Sequence, residues 1–368
     1  MKISGLQMYW LMISNVVGLA MLYSLSQTVA QAQQDAWISV ALAGIIGHGV
    51  AFLAVKLSLL HPDQSFIQYS QTILGKWLGK IIVIPYFMMW LSVNGMILRD
   101  SSEFVYIALF DKTPLIVIMI AFLILAVYVI YTGGLEGIAR CSEIMGPLIV
   151  IMIIGTLVLS LNHLDWHQLT PVYADSGLWS IIKGSLPISV IYIDIILMTM
   201  VFCFLSDSRQ ALSRAMGGVA VSSLLLIFAI AFIIMTFGPN LSSRIWFPFF
   251  SVTRFISVLG FIQNVDIIIL IIWMFSVFIK LSLYLFVTLF GAAQWLNIKD
   301  WRKLIWVIVP ITFFTSLIPK NITEIVIDYP QKILLPYFMP LNVFCIPILL
   351  WIVGTLRNKI SNSKVRKQ

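Results

Sequence analysis

Charged residues are scarce in this sequence of 368 residues, because Asp, Glu, Lys and Arg together make up only 10% of it. Soluble domains carry about 25% charged and about 45–50% apolar residues, whereas 60% of this chain is hydrophobic and its mean hydropathy is +1.00. Uncharged runs such as residues 114–134 recur along the chain, and about 20 apolar residues suffice to cross a bilayer as a helix. The composition excludes a soluble globular protein and predicts an all-α polytopic membrane protein.

Cysteine is nearly absent, and Cys141, Cys203 and Cys345 form no Cys-x-x-Cys pair. Neither a disulfide framework nor a zinc site is therefore predicted. His163 and His167 have a spacing that metal sites use, but no third ligand stands close by, and a solvated pair in a loop explains them better. Because the loops contain no HExxH, GxSxG or Asp-rich motif, a membrane enzyme would have no set of catalytic residues. We expect no metal, no cofactor and no enzymatic activity.

The net charge of +8 comes from basic residues concentrated in short segments between the apolar runs and in the tail 358–368. That distribution is typical of cytoplasmic loops and predicts both termini in the cytoplasm, and it disfavours nucleic-acid binding. The first apolar run precedes Ala30-Gln31-Ala32, which resembles a signal cleavage site. It exceeds the 7–15 residues of a signal core, so we interpret it as a retained first span.

Ten apolar segments can be distinguished. They fall at 6–29, 37–60, 81–106, 114–131, 141–161, 184–205, 213–237, 266–294, 303–319 and 333–356. They divide into two halves of five, residues 1–178 and 179–357, followed by the basic tail 358–368. Because five is odd, the halves must insert in opposite orientations, which predicts a five-plus-five inverted repeat. Segments 65–79 and 243–261 are rich in Trp, Phe or Arg, which is typical of short helices at the membrane interface.

Helix-breaking residues interrupt the first segment of each half. The first contains Ser-Asn-Val-Val-Gly (14–18), and the sixth contains Lys-Gly-Ser-Leu-Pro (183–187). Interrupted segments at corresponding positions point to a transporter site built from broken helices 1 and 6. Asn15 and Gly18 disfavour a helix interior, and unwinding there would offer N–H and C=O groups to a ligand with both charges, such as an amino acid. Close helix packing explains Gly18 equally well.

Two ionisable residues lie deep within apolar segments, Asp194 in the sixth and Lys280 in the eighth. A charge at the bilayer centre costs about 2.5–3.5 kcal/mol on insertion scales, so each needs a cavity or a partner. Free N–H groups at a helix break would favour the Asp194 carboxylate, with Tyr192 lining the same cavity. A capping or interfacial Asp194 is the alternative. Lys280 is too central to reach water easily, and a plain ion pair with Asp194 or Glu143 also remains open.

A third charged cluster lies late in the third segment. Arg99 and Glu103 are i, i+4 neighbours that can pair on one helix face, with Asp100 beside them and Asn94 about one turn below. They form either an outer vestibule that screens ligands or an anchor for a long helix, while Asn94 is a candidate ligand-binding residue. Glu136 and Arg140 have the same spacing, and an ordinary loop pair explains them.

Seven short motifs together resemble the B subunit of the spore nutrient germinant receptors, a branch of the amino acid–polyamine–organocation transporter superfamily. They are QDAW (34–37), GKWLGK (75–80), LRDSSEF (98–104), GLEGIARCSEI (134–144), IKGSLP (182–187), GPNLSSRIWFP (238–248) and FIKLSLYL (278–285). The resemblance covers nearly the whole chain. It implies a ten-span transporter-like fold in the spore inner membrane and a small-molecule sensor that acts beside A and C subunits.

The resemblance also bears on individual residues. It implies that Asp194 lines a ligand cavity, and that the Lys280 ammonium replaces a sodium ion held by carbonyls of the unwound first helix. The expected ligand is a small, amino acid-like nutrient. An autonomous proton-coupled amino-acid transporter would use the same cavity residues, so the residues alone leave both functions open.

Overall fold

The computed structural model describes residues 1–21, 25–173, 177–254 and 265–365, and helices dominate them. The α-helices are α1 Gly5–Leu19, α2 Leu25–Ala32, α3 Ala36–Ser58, α4 Phe66–Leu74, α5 Lys76–Ile81, α6 Ile84–Ala108, α7 Leu115–Leu159, α8 Gly177–Ser189, α9 Met198–Val201, α10 Ala211–Ser242, α11 Pro248–Arg254, α12 Val265–Leu296, α13 Ile305–Ser316 and α14 Ile346–Val365. A 3₁₀ helix at Val190–Leu197 joins α8 to α9, and π-helical turns at Glu324–Asp328 and Pro330–Cys345 lead into α14.

Helix α7 consists of two helices that meet at Gly134. Its 45 residues would extend about 68 Å at 1.5 Å per residue, roughly twice the thickness of a bilayer core. Gly134 has φ 55° and ψ −148°, a conformation that glycine adopts readily because it has no Cβ. The two parts correspond to the predicted segments 114–131 and 141–161.

Seven helical stretches of the described residues are long and apolar enough to cross a membrane. They are Leu25–Ser58, Lys76–Ala108, Leu115–Leu159, Gly177–Phe204, Ser208–Ser242, Trp273–Leu296 and Glu324–Lys359. The prediction of an all-α polytopic membrane protein is thereby confirmed. Because α7 contains two predicted segments, and because α1 and α13 have only 15 and 12 residues, the count of ten spans and the inverted repeat stay predictions.

Helix α1 lies in the middle of the bundle, where it packs against α7, α10 and α12. Helix α12 also packs against α6 and α7, and α3 against α8 and α10. Near the N-terminus, Ile3 forms an isolated parallel β-bridge with Leu205, and its N–H donates to the Phe204 carbonyl at 2.8 Å. The start of the chain is thereby held at the end of the sixth predicted segment.

The described residues remain helical at the expected positions of both breaks. Helix α1 runs through Asn15 and Gly18 to Leu19, because a buried backbone in a membrane bundle must satisfy its own hydrogen bonds; residues 22–24, before α2, lie outside the described residues. Helix α8 likewise continues past Pro187 to Ser189. The irregular part of this segment is the 3₁₀ helix, which contains both Tyr192 and Asp194.

The two segments predicted to lie at the membrane interface differ in the exposure of their aromatic side chains. Residues 65–79 form the short helices α4 and α5, with Trp77 and Leu78 exposed. Within 243–261, helix α11 instead buries Phe249, Phe250 and Val252 against the bundle. Its Phe250 packs edge-on against Phe104 of α6, and the helix also contacts α12. The expected position of this segment at the membrane interface stays a prediction. Residues 255–264 of this segment lie outside the described residues.

Candidate functional site

A stripe of polar side chains on α12 organises the centre of the molecule. Ser276, Lys280, Tyr284 and Thr288 follow one another at intervals of four residues and are all buried. Each step advances about 6 Å along the helix and turns about 40° around it. The stripe therefore spans about 18 Å and faces a different neighbouring element at each level.

Lys280 and Asp194 form a buried ion pair at the middle of this stripe. The Lys280 Nζ lies 2.5 Å from Asp194 Oδ2, and each side chain is only 7% exposed. Tyr284, one turn further along α12, donates its hydroxyl hydrogen to Asp194 Oδ1. Both carboxylate oxygens are therefore engaged by side chains of α12. Of the alternatives that the sequence left open for Lys280, the structure contains the ion pair with Asp194.

Glu143 does not belong to the Asp194–Lys280 pair and contacts α1 instead. Its Oε2 accepts a hydrogen bond of 2.9 Å from Gln7 Nε2, and Gln7 belongs to the capping box that begins α1 at Ser4. Glu143 is therefore not the partner of Lys280, and its expected part in an ion site or charge relay stays a prediction. Its actual neighbour is the first turn of α1, where the free N–H groups of a helix favour negative charge.

The carbonyls of α1 are approached by uncharged residues of α12. Trp273 Nε1 donates to the Gly18 carbonyl at 2.8 Å, and Ser276 Oγ donates to the Ser14 carbonyl at 2.7 Å. Lys280 lies a turn further on and bonds Asp194. Two neutral donors thus bind these carbonyls, and the ammonium binds a carboxylate. The replacement of a cation by the Lys280 ammonium stays a prediction that these contacts do not favour.

Gly18 is required by the close approach of α1 and α12. A Cβ built on Gly18 would lie 2.3 Å from Ser276 Oγ and 3.0 Å from its Cβ. Real atoms do not approach so closely without a shift of the helices. The packing interpretation of Gly18 is therefore supported by the structure. This packing role is compatible with a role of Gly18 in ligand binding, because Gly18 also lines a cavity.

That cavity lies at the end of α1 and is closed by aromatic side chains. It offers about 40 Å³ to the centres of water molecules, where one water needs about 10–15 Å³. Phe104 packs edge-on against Trp273, with ring centroids 4.3 Å apart, and against Phe250 of α11 at 5.4 Å. These three rings and Gly18 line the cavity. In this conformation it holds a few waters at most.

Asn15 carries an unpaired amide in this region. It is 1% exposed, and neither Oδ1 nor Nδ2 has a hydrogen-bond partner within the described residues. It precedes Gly18 by three residues, so both lie on the same face of α1. A buried polar group without a partner costs about 1–3 kcal/mol. An amide that offers both a donor and an acceptor is therefore maintained on α1, one turn before Gly18, at a cost in stability.

Asn94 lies at the opposite end of the α12 stripe. Its Nδ2 donates to the Trp90 carbonyl at 2.8 Å and to Thr288 Oγ1 at 3.0 Å, and its Oδ1 has no partner within the described residues. Thr288 is twelve residues, about 18 Å, from Ser276. Asn94 therefore shares a helix neighbour with Gly18 but lies at a different depth.

Tyr192 packs at the interface between the 3₁₀ helix, α3 and α10. Its hydroxyl lies 2.7 Å from Ser223 Oγ on α10. Its ring lies so close to α3 that a Cβ on Gly47 would meet Cδ1 of Tyr192 at 2.4 Å. The ring and hydroxyl of Tyr192 are thus used in packing α3 and α10 against the 3₁₀ helix.

Both i, i+4 ion pairs are present, and they differ in burial. The expected loop position of Glu136 and Arg140 is corrected, because both residues lie within α7. Arg99 Nε lies 2.7 Å from Glu103 Oε1, with side chains 12% and 11% exposed. The Arg140–Glu136 pair has a distance of 2.5 Å and exposures of 68% and 37%. Asp100 is buried beside the first pair. Glu103 directly precedes Phe104 on α6, and Phe104 is one of the aromatic residues that line the cavity.

Sequence reasoning did not identify Trp273, Ser276, Tyr284 and Thr288. The signal was available, since three of them continue the four-residue spacing of Lys280 along the eighth apolar segment. A polar stripe of this period on an apolar helix predicts a face turned towards the protein interior.

Comparison with known proteins places this geometry in a family. A profile described as spore germination protein matches residues 2–325. Spore germination protein YndE of Bacillus subtilis (strain 168) is 27% identical over 355 residues, which cover 95% of each chain. Spore germination protein KB of the same strain is 26% identical, covering 84% of this chain and 87% of that relative. GerQB of Bacillus cereus is 24% identical, with 88% of each chain covered.

Solved structures of transporters share the fold. MHP1, a nucleobase-cation-symport-1 family transporter in a closed conformation, superposes with a TM-score of 0.65 at 12% identity, covering 96% of this chain and 90% of that one. MhsT in complex with L-phenylalanine gives a TM-score of 0.60 at 17% identity, covering 96% and 88%. The fold is thus that of membrane transporters, and by the match over residues 2–325 the chain belongs to the spore germination protein family.

Proposed function

We propose that this chain is the membrane subunit of a spore germinant receptor, which binds a small, amino acid-like nutrient in a transporter-type cavity and signals germination. The observation that carries the proposal is the family match over residues 2–325, with curated relatives named spore germination proteins. The proposal includes a location in the spore inner membrane, cytoplasmic termini, and A and C subunits as partners. The ten spans would form two inverted halves, residues 1–178 and 179–357.

The ligand would bind at the end of α1, where the unpaired amide of Asn15 lies one turn before Gly18, a residue that lines the cavity. The amide supplies a donor and an acceptor for the polar groups of the nutrient, and the aromatic residues of α6, α11 and α12 enclose its apolar part. Because the cavity is small in this conformation, binding would favour a state in which α11 moves away from α12. A ligand shifts such an equilibrium only by its difference in affinity for the two states.

The remaining candidate residues would act around this site. The Arg99–Glu103 pair and Asp100 would form a vestibule beside the aromatic closure. The Asp194–Lys280 pair with Tyr284 would fix the 3₁₀ helix to α12, so that a shift of α12 reaches the sixth segment. Asn94 would then sense the position of α12 through Thr288.

An autonomous proton-coupled amino-acid transporter is the second candidate. It is favoured by the likeness to transporter structures and by the buried carboxylate of Asp194, a group that proton-coupled transporters place within the membrane. It requires solute movement by the chain alone, whereas a receptor subunit requires its partners for a response.

Deleting the coding sequence in its own spore-forming host tests the proposal. The spores should lose their response to one nutrient of a panel of amino acids, sugars and salts, and the restored gene should recover it. Purified chain in liposomes should show no counterflow of that nutrient. Unchanged germination together with rapid counterflow would instead establish the transporter.

A further inference from the structure

A groove on the outer surface of the bundle is not explained by the nutrient site. It runs between the first part of α7 and α13 and encloses about 740 Å³. Its walls are apolar and aromatic and include Leu123, Val127, Tyr131, Trp306, Val309 and Phe313. An apolar surface of this kind is expected where a helix pair faces lipid. The groove differs from a plain lipid-facing surface in having a positioned cation at one end.

That cation is Arg302, which precedes α13. Its Nε donates to the Tyr131 carbonyl at 3.2 Å, and its guanidinium lies 5.7 Å from the centroid of the Tyr131 ring and 5.0 Å from that of Trp301. The two terminal amino groups make no hydrogen bond within the described residues. The guanidinium is therefore held in place while part of its hydrogen-bonding capacity is unused, an arrangement that suits a phosphate.

The charges around Arg302 favour an anion. Residues 299–303 contain Lys299, Arg302 and Lys303 against the single acid Asp300, a local balance of +2. The Asp300 carboxylate caps the following 3₁₀ turn by accepting the backbone N–H of Arg302 at 3.1 Å. Each basic residue near a membrane surface contributes about 1 kcal/mol to the attraction of anionic lipids.

The length of the groove matches one leaflet. From Arg302 to Phe314 there are twelve residues, about 18 Å of helix, and half of a bilayer core is about 15 Å. Trp306, Tyr128 and Tyr131 are 84%, 65% and 57% exposed near the Arg302 end. Exposed Trp and Tyr mark the level of the lipid headgroups. Arg302 therefore lies at headgroup depth, and the groove extends from there towards the bilayer midplane.

We propose that this groove is a binding site for one phospholipid with an anionic headgroup. The phosphate would accept hydrogen bonds from the free amino groups of Arg302, and an acyl chain would lie between α7 and α13 as far as Phe314. Basic pockets between membrane helices bind acidic lipids in this way. The site depends on the membrane location of the chain and not on the identity of the nutrient.

Lipid titration of the purified, delipidated protein tests the site. Phosphatidylglycerol should raise the thermal midpoint saturably, whereas phosphatidylcholine with the same acyl chains and soluble glycerol phosphate should not. Arg302→Gln should raise the phosphatidylglycerol concentration for half the effect about fivefold, with Arg302→Lys in between. Arg140→Gln, which removes an exposed arginine outside the groove, should behave as wild type. Val309→Trp should remove the saturable effect while retaining Arg302, because it fills the path of the acyl chain.

Several results would overturn the proposal. Equal half-effect concentrations for wild type and Arg302→Gln would show that the headgroup is bound elsewhere, and an undiminished effect in Val309→Trp would exclude the groove. If Arg302→Gln does not fold, the proposal is tested with the other two variants. An Arg302→Lys protein with the half-effect concentration of wild type, or an undiminished effect in Val309→Trp, would then overturn it. If a photo-crosslinker at position 309 captures a partner subunit in the assembled complex and phosphatidylglycerol does not compete, the groove is a protein interface.

Discussion

Removing either member of the Asp194–Lys280 pair should destabilise the protein more than removing both. Lys280→Met leaves a carboxylate, and Asp194→Asn an ammonium, at a place where both side chains are 7% exposed. A buried charge that loses its partner typically costs about 3–5 kcal/mol. If Asp194 had no partner, Asp194→Asn would leave the amount of folded protein unchanged, because an amide is easier to bury than a carboxylate. The pair with Lys280 reverses this expectation.

The double variant Asp194→Asn with Lys280→Met removes both charges and keeps an acceptor for the Tyr284 hydroxyl. Replacing a buried ion pair by uncharged groups is often neutral or stabilising, so we expect its loss to be no more than about 2 kcal/mol, where additive single effects would give about 6–10 kcal/mol. Lys280→Arg keeps the charge and should retain part of the stability.

Size-exclusion profiles after heating, measured at one heating rate for every variant, give the thermal midpoints. The matched control is Glu136→Gln with Arg140→Met, whose pair is exposed and should contribute no more than about 1 kcal/mol. Additive losses at Asp194 and Lys280, or a wild-type midpoint for either single variant, would refute the assignment of a coupled buried pair.

Three further predictions concern other parts of the site. Gly18→Ala should lower the thermal midpoint, because overpacking of α1 against α12 costs about 1–3 kcal/mol of stability. Ser276→Ala in the same chain should recover part of this loss. An unchanged midpoint in Gly18→Ala would show that α1 and α12 are further apart. Glu103→Gln should lower the midpoint more than Glu136→Gln, because the first pair is 12% and 11% exposed and the second 68% and 37%; equal effects would contradict the difference in burial. Asn15→Cys should react with small thiol reagents and be protected by the nutrient, whereas Tyr192→Cys should show no such protection; protection at Tyr192 would move the site towards α3 and α10.

Composition and periodicity were sufficient for the fold class, because a bilayer allows few solutions for a long apolar chain. The positions of the helix breaks were not predictable from the same residues. Asn15 and Gly18 are poor helix formers, yet α1 continues through both, since contacts with α7, α10 and α12 outweigh a propensity difference of about 1 kcal/mol. The kink at Gly134 lies between the predicted segments 114–131 and 141–161.

At the site, sequence reasoning identified the charged residues but not all of their partners. Asp194 and Lys280 were recognisable because a charge within an apolar segment is rare. Their pairing was one of two alternatives, since Glu143 was equally acidic and only the packing of α1 against α7 places Glu143 beside Gln7. Tyr192 and Asp194 are two residues apart, yet Asp194 contacts α12 while the side chain of Tyr192 contacts α3 and α10.

Under the proposed function, the buried amide of Asn15 on α1 is kept for the nutrient and not for the fold. Asn15→Leu removes two unpaired polar atoms at nearly constant volume, so the amount of folded protein and its thermal midpoint should hold or rise. The nutrient concentration for half-maximal germination, measured on the same spores, should increase tenfold or more, equivalent to about 1.4 kcal/mol of lost contact. An unchanged nutrient threshold at normal protein levels would contradict the account.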